Sequence, residues 1–115
     1  MKKLLFSSML LAGFAMNANA QAQDFPDDIK PLMSKYTCTA CHKVDARLVG
    51  PAYTEIAKRK YSTARILELI AAPKPSNWPG YPPMAALKVP AEDATKIAEW
   101  ITSLAPKKKT KAKKA

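Results

Sequence analysis

Cysteine, histidine and glycine are scarce in this chain: two, one and three residues among 115. The two cysteines, Cys38 and Cys41, stand three positions apart, so no disulfide can tie distant parts of the chain together. So few glycines, without a period, exclude collagen-like and glycine-rich repeats. No apolar run is long enough for a bilayer. The best, Leu4 to Met16, has 13 residues, against the roughly 20 that a spanning helix needs. Acidic side chains are few, 9 against 19 basic ones, for a formal charge of +10. On composition alone that excess suggests nucleic-acid binding, but its placement argues otherwise. Lys2 and Lys3 sit at the start, and Lys107, Lys108, Lys109, Lys111, Lys113 and Lys114 crowd the last nine residues. Residues 21–106 carry eleven basic and nine acidic side chains. A nucleic-acid domain carries its charge on its folded face, so no nucleic-acid partner is expected.

The two ends read as an address and a tail. Lys2-Lys3, the apolar stretch and the small-residue run Ala18-Asn19-Ala20 make a secretory signal peptide over residues 1–20. It is cut after Ala20, or after Ala22, where Ala20-Gln21-Ala22 repeats the pattern. Residues 107–115 contain only Lys, Ala and Thr. They bury no apolar surface and are expected to form a disordered Lys-rich tail. The tail is either simply solvated or in electrostatic contact with an anionic membrane or an acidic partner. Residues 21–106 between them suffice for one small domain.

That domain reads as all-α, with no sustained strand alternation and four stretches of helical spacing. Phe25, Ile29, Leu32, Met33 and Tyr36 predict a first helix near residues 26–39. Gly50-Pro51 opens a second, with Pro at its first position and Tyr53, Ile56 and Ala57 facing inward. Ser62 caps a third, carrying Ile66, Leu67 and Ile70 and stopped by Pro73. Pro90 opens a fourth, with Glu92 and Asp93 in the first turn, where negative charge suits the helix dipole, and Ile97, Trp100, Ile101 and Leu104 on one face. Residues 73–89 form a long connection with five prolines, stiff, extended and not helical. So long a loop in so small a domain is uncommon unless it has a job. About 85 ordered residues in short helices bury only a modest core, so a bound group is expected to complete it.

Cys38-Thr39-Ala40-Cys41-His42 concentrates the reactive side chains. The spacing Cys-x-x-Cys-His is the attachment signature of c-type haem. Thiols three residues apart on one side of a helical turn can add to the two vinyl groups on one porphyrin edge. His42 then brings an imidazole nitrogen under the iron. Rival uses are weaker. Structural zinc needs four ligands, and the chain has no other Cys or His. A thioredoxin-like pair wants a βαβ setting, and a disulfide closing so short a loop contributes little. On the other haem face the candidates are methionines, of which Met1, Met9 and Met16 leave with the signal. Met33 lies on the stripe of the first helix and reads as core. Met84 lies in the proline-rich loop 42 residues after His42, with Lys88 as a nearby backup. A thioether ligand raises the reduction potential by favouring ferrous iron.

With Leu48-Val49-Gly50-Pro51-Ala52-Tyr53, Trp78, Pro82-Pro83-Met84 and Ala98-Glu99-Trp100, the motif resembles the small bacterial class I cytochromes c, above all the cytochrome c-551/c-552 family. The likeness covers about residues 24–105. It implies four short helices wrapped around one covalently bound haem c. Cys38 and Cys41 would be the thioether anchors, and His42 and Met84 the axial ligands. The Pro51 carbonyl would accept the other ring N–H of His42, Trp78 would reach a haem propionate, and Trp100 would pack on the first helix. The resemblance further implies a monomeric periplasmic one-electron carrier, not an enzyme. It would shuttle electrons between respiratory donors and a terminal oxidase or reductase, with Leu48, Val49, Pro83 and Ala85 as apolar contact candidates. Alternatives are a haem ligand-binder, sensor or peroxidase-like enzyme with an exchangeable Met84, or an electron-transfer subunit tethered to a larger complex by the tail. Three departures stand out. Ala85, Ala86 and Leu87 follow Met84, where the family often has Pro and then Asn. Leu69 falls near the family's propionate-contacting Arg, leaving Trp78, Lys74 and Asn77 for that role. The Lys-rich tail has no counterpart in the usual short versions.

Overall fold

A computed structural model describes residues 23–107. The signal-peptide reading, and the tail reading apart from Lys107, lie outside the described residues. Within them the chain is helical, with four α-helices and two single 3-10 turns and no strand. Helix α1 spans Lys30–Lys35, α2 Tyr53–Lys58, α3 Thr63–Ala71 and α4 Ala91–Ser103. The 3-10 turns are Cys38–Ala40 and Pro75–Asn77.

The first helix is shorter than its apolar stripe suggests. Pro26 O accepts from the N–H groups of Ile29 and Lys30 at 3.0 and 2.8 Å, a turn that leads into α1. At the other end Thr37 has φ +59°, in the left-handed region. That conformation is costly for a β-branched residue. It breaks the helix and starts a separate turn that carries Cys38. The second helix begins two residues later than Gly50-Pro51 implies. Ala52 is its N-cap, and Pro51 lies outside, its carbonyl committed elsewhere. The third and fourth helices start where their signals put them. Ser62 Oγ accepts from Arg65 N at 3.1 Å, a cap worth about 0.5–2 kcal/mol, and the helix ends at Ala71, before Pro73. Pro90 precedes α4, which has Glu92 and Asp93 in its first turn. The long connection is not wholly extended, since Pro75–Asn77 makes one 3-10 turn.

Helix α4 packs against α1, α2 and α3. The core gathers Ile29 and Met33 from the first segment, Val44 from the stretch after the motif, Tyr53 and Ala57 from α2, Ile66 from α3, and Ile97, Ala98, Trp100 and Ile101 from α4. Met33 is fully buried, and Tyr53 Oη donates to its sulfur at 3.8 Å. Trp100 packs its ring 5.4 Å from Phe25, just before α1, and 5.1 Å from Tyr53 of α2. It therefore bridges the N-terminal segment and α2, a wider role than packing on the first helix. Tyr36 Oη donates to Asp93 Oδ2 at 2.5 Å, tying the end of α1 to the first turn of α4. These contacts leave the space between α3, the motif and the proline-rich loop unfilled by protein.

Candidate functional site

The motif closes on itself through its backbone. Ala40 N donates to Thr37 O at 3.2 Å, Cys41 N to Cys38 O at 3.2 Å and His42 N to Cys38 O at 2.9 Å. This single turn sends Cys38, Cys41 and His42 to the same cavity, which all three line. Both thiols are free and partly exposed. Burial pushes the Cys38 thiol above its ordinary range.

His42 is buried, 8% exposed, and its ring is fixed from three sides. Nδ1 lies 2.7 Å from Pro51 O. A carbonyl only accepts, so Nδ1 carries the proton and Nε2 keeps its lone pair. Burial pulls the imidazole below its ordinary pKa, with the Pro51 bond partly opposing. The ring is therefore neutral at pH 7, the form that binds iron. Tyr53 stands 4.9 Å behind it, tilted by 34°. Burial also holds the Tyr53 phenol well above its ordinary pKa, so it stays an uncharged donor. On the third side Gly50 leaves no room to spare: a Cβ there would meet His42 Cε1 at 2.5 Å. The segment is laced to the motif by Gly50 N to Cys41 O at 2.7 Å, Tyr53 N to Lys43 O at 3.1 Å and Thr54 N to Val44 O at 2.9 Å.

The cavity, about 340 Å³, is walled mainly by apolar side chains. Leu69 and Ile70 of α3 and Ile97 and Ile101 of α4 form its far side, and Trp78 and Met84 come from the proline-rich loop. Lys74 and Asn77 line it as well, while Met33 and Lys88 do not. Met84 is 39% exposed, and Leu48 and Val49, at 41% and 46%, are the other large exposed apolar residues among those described. Val49, Pro83 and Ala85 also line the cavity. So the structure brings together Cys38, Cys41, His42, Pro51, Trp78 and Met84, the six residues singled out in the sequence.

These residues fit a covalently held haem. Two thiols and a neutral imidazole with a free Nε2 face one apolar space, and Gly50 supplies the clearance that the imidazole needs. The sequence reads Gly50 only as part of the Gly50-Pro51 helix opening and Tyr53 only as an inward-facing core residue, and sets neither against His42. Only the adjacency of Gly50 to Pro51 hints at a close approach. Nor does it single out Arg47 and Arg59, whose guanidinium groups lie over the Tyr81 and Trp78 rings at 4.0 and 3.8 Å.

Comparison with known proteins agrees with this geometry. The family model for cytochrome c matches residues 26–105. Cytochrome c-551 of Stutzerimonas stutzeri is 33% identical over 108 residues, covering 90% of this chain and 99% of the relative. Cytochrome c-552 of Hydrogenobacter thermophilus is 31% identical over 109 residues, covering 90% and 99%. Among solved structures, a deletion mutant of Nitrosomonas europaea cytochrome c552 aligns with TM-score 0.58 and 32% identity, covering 65% of this chain and 98% of that one. A family match over residues 26–105, with a cavity faced by two thiols and a neutral imidazole on a helical frame shared with the Nitrosomonas europaea protein, makes the chain a member of the cytochrome c family: a small class I c-type cytochrome that carries electrons on one covalently bound haem c.

Proposed function

We propose that the protein is a periplasmic one-electron carrier whose haem iron is held by His42 and Met84. The observation that carries this reading is that His42, from the motif, and Met84, from the loop, line one cavity with both thiols. Bound there, the haem supplies the one-electron iron couple. Cys38 and Cys41 would anchor it by thioethers. Pro51 O holds the Nδ1 proton of His42 and so aims Nε2 and raises its basicity. Met84 is the methionine within reach, because Met33 is committed to the core. Trp78, Asn77 and Lys74, which line the cavity, would be the groups that meet the propionates.

With His42 and Met84 both holding the iron, no position would be open to a substrate, which supports a carrier and not an enzyme. Exposed Leu48 and Val49, with Pro83 and Ala85, offer an apolar rim for weak docking to redox proteins. Residues 1–20 would direct export, and the donor and acceptor would be a respiratory donor and a terminal oxidase or reductase. The exposure of Met84, 39%, favours a second reading, an exchangeable thioether that admits a small haem ligand.

Visible and near-infrared spectra of the mature holoprotein, with and without carbon monoxide, separate the two. A low-spin spectrum with a thioether-to-iron charge-transfer band, unchanged by carbon monoxide, is the expected result. A high-spin ferric spectrum or ready carbon monoxide binding would put the exchangeable site first. Met84→Ala should abolish the band and admit carbon monoxide; a band that persists in this variant would refute Met84 as the ligand.

A further inference from the structure

The loop that brings Met84 to the site is poorly held by its own backbone. Five of the eleven residues from Pro73 to Pro83 are prolines, which donate no hydrogen bond. The backbone bonds within the loop are local: Asn77 N to Lys74 O, Trp78 N to Pro75 O and Tyr81 N to Trp78 O. Among the described residues, the one backbone bond from Pro73–Lys88 to a helix is Leu87 N to Ile70 O at 3.0 Å, beyond Met84. On the near side of Met84, the described contacts that fasten the loop to the first half of the chain come from two arginines.

Arg59, just past the end of α2, lays its guanidinium 3.8 Å over the Trp78 ring. Arg47, between the motif and α2, lies 4.0 Å over the Tyr81 ring. Its Nη2 also donates to Gly80 O at 2.9 Å. Neither arginine is in an ion pair among the described residues, so their charge is directed to these ring faces. The two rings are themselves joined edge to face, with centroids 5.9 Å apart. Pro82 and Pro83, with φ fixed by their rings, connect Tyr81 directly to Met84. Holding Tyr81 therefore holds the start of a stiff strut that ends at the methionine.

We propose that Arg47 and Arg59 are positioning residues: by clamping Tyr81 and Trp78 they keep the proline-rich loop closed and so retain Met84 on the iron. This rests on the reading of Met84 as axial ligand. The clamp acts through Met84, so its removal should raise the frequency of thioether loss without melting the helices.

The test uses the ferrous holoprotein and Arg47→Met, Arg59→Met, the double variant, and Arg65→Met as a control that removes an arginine paired with Glu68 on α3. Carbon monoxide binds only when the thioether has left, so its observed binding rate reads loop opening. Arg59→Met, which removes one exposed cation–π contact, should raise that rate roughly two- to five-fold; Arg47→Met, which also loses the bond to Gly80 O, should raise it at least as much, and the double variant at least about five-fold. Arg65→Met should leave it unchanged. Arg59→Lys keeps the charge but loses the planar group, and should fall between wild type and Arg59→Met. In a urea titration of the ferric proteins, the charge-transfer band of the double variant should vanish at lower urea than the helical circular dichroism signal. Equal carbon monoxide rates in all variants, or a gap between band loss and helix loss no wider in the double variant than in wild type, would overturn the clamp while leaving the His42–Met84 assignment standing. A wild-type protein that lacks the band and binds carbon monoxide at once would instead refute that assignment, and the clamp with it.

Discussion

Replacing Gly50 by Ala tests how tightly the His42 ring is packed. The position does not use glycine's backbone freedom, because Gly80, with φ +88°, is the glycine with positive φ among the described residues. It uses the missing side chain. A Cβ at Gly50 would stand 2.5 Å from His42 Cε1, 2.9 Å from Nδ1 and 3.1 Å from Nε2. The shortest of these falls about 0.9 Å short of the 3.4 Å at which ordinary contact begins. The ring cannot simply swing away, since Pro51 O holds Nδ1 at 2.7 Å and Tyr53 stands 4.9 Å behind. Nor is the Gly50 backbone free, with its N–H on Cys41 O at 2.7 Å. Overpacking of this kind costs about 1–3 kcal/mol. At about 4–8 °C per kcal/mol in a domain of this size, the Tm of the holoprotein should fall by roughly 4–24 °C. The cost should also appear locally. In the diamagnetic ferrous protein, the nuclear magnetic resonance signal of the His42 Nδ1 proton should shift as its bond to Pro51 is disturbed. Gly80→Ala is the contrasting variant. Nothing lies within 4 Å of its Cβ position, so its cost, about 1–2 kcal/mol, comes from left-handed backbone alone, and the His42 proton should not move. A Gly50→Ala protein with Tm within about 2 °C of wild type and an unmoved Nδ1 proton would refute the packing argument.

Met33→Ala should destabilise the holoprotein by about 2–5 kcal/mol, the usual cost of emptying a fully buried methionine site, as read by urea unfolding. Its charge-transfer band should survive; a folded Met33→Ala protein without the band would return Met33 to the ligand set. Tyr36→Phe should weaken the link between α1 and α4 in a pH-dependent way. The Tyr36 hydrogen bond, with Lys35 adding to it, holds the Asp93 carboxyl below its ordinary value of 3.8, and the same bond to Asp93 pushes the Tyr36 phenol above 10.0. The carboxylate's share is present above pH 3.8 and is lost as pH falls through the lowered value; the phenol's share is present below pH 10.0 and is lost as pH rises through the raised one. The stability difference between wild type and Tyr36→Phe should therefore be flat between about pH 5 and 9 and shrink at both extremes. A difference that keeps its full size in strong acid and strong alkali would refute this assignment of the bond.

What the sequence made legible was local. Ser62, Pro73 and Pro90 punctuate α3 and α4 through hydrogen bonds and ring constraints that act within a few residues, and those boundaries match. The haem motif was legible because attachment demands that its three reactive side chains be adjacent in the chain. The stripe from Phe25 to Tyr36 correctly marked what faces inward, for Ile29 and Met33 are buried. It overstated the helix, because periodicity reports burial and not backbone conformation, and Thr37 breaks the helix with a positive φ. Pro51, which by its signal should be the first residue of α2, lies outside the helix for a tertiary reason: its carbonyl is turned to His42, nine residues back. Arg59 and Trp78 are 19 residues apart and Arg47 and Tyr81 are 34. No period or spacing rule connects such pairs, so only the folded chain reveals them.

The two walls of the site are consequently built by different means. On the His42 side the constraints are backbone bonds among residues 41–54, together with a ring-to-carbonyl bond and a glycine clearance. These act at short sequence separation, so little chain entropy is lost in forming them. On the Met84 side a segment with few backbone donors is closed by side chains from the other half of the chain, at the larger separations just given. Rigidity suits a carrier, because a site that keeps its geometry in both oxidation states spends little energy on rearrangement at each transfer. The proline-rich loop reaches that rigidity through fixed φ angles and two arginine–aromatic contacts instead of a hydrogen-bond ladder. Such contacts are individually weak, about 0.5–1 kcal/mol at exposed sites. On the proposed ligation, release of Met84 would be the opening that these weak contacts resist, and it would leave the His42 wall and the α4 core intact.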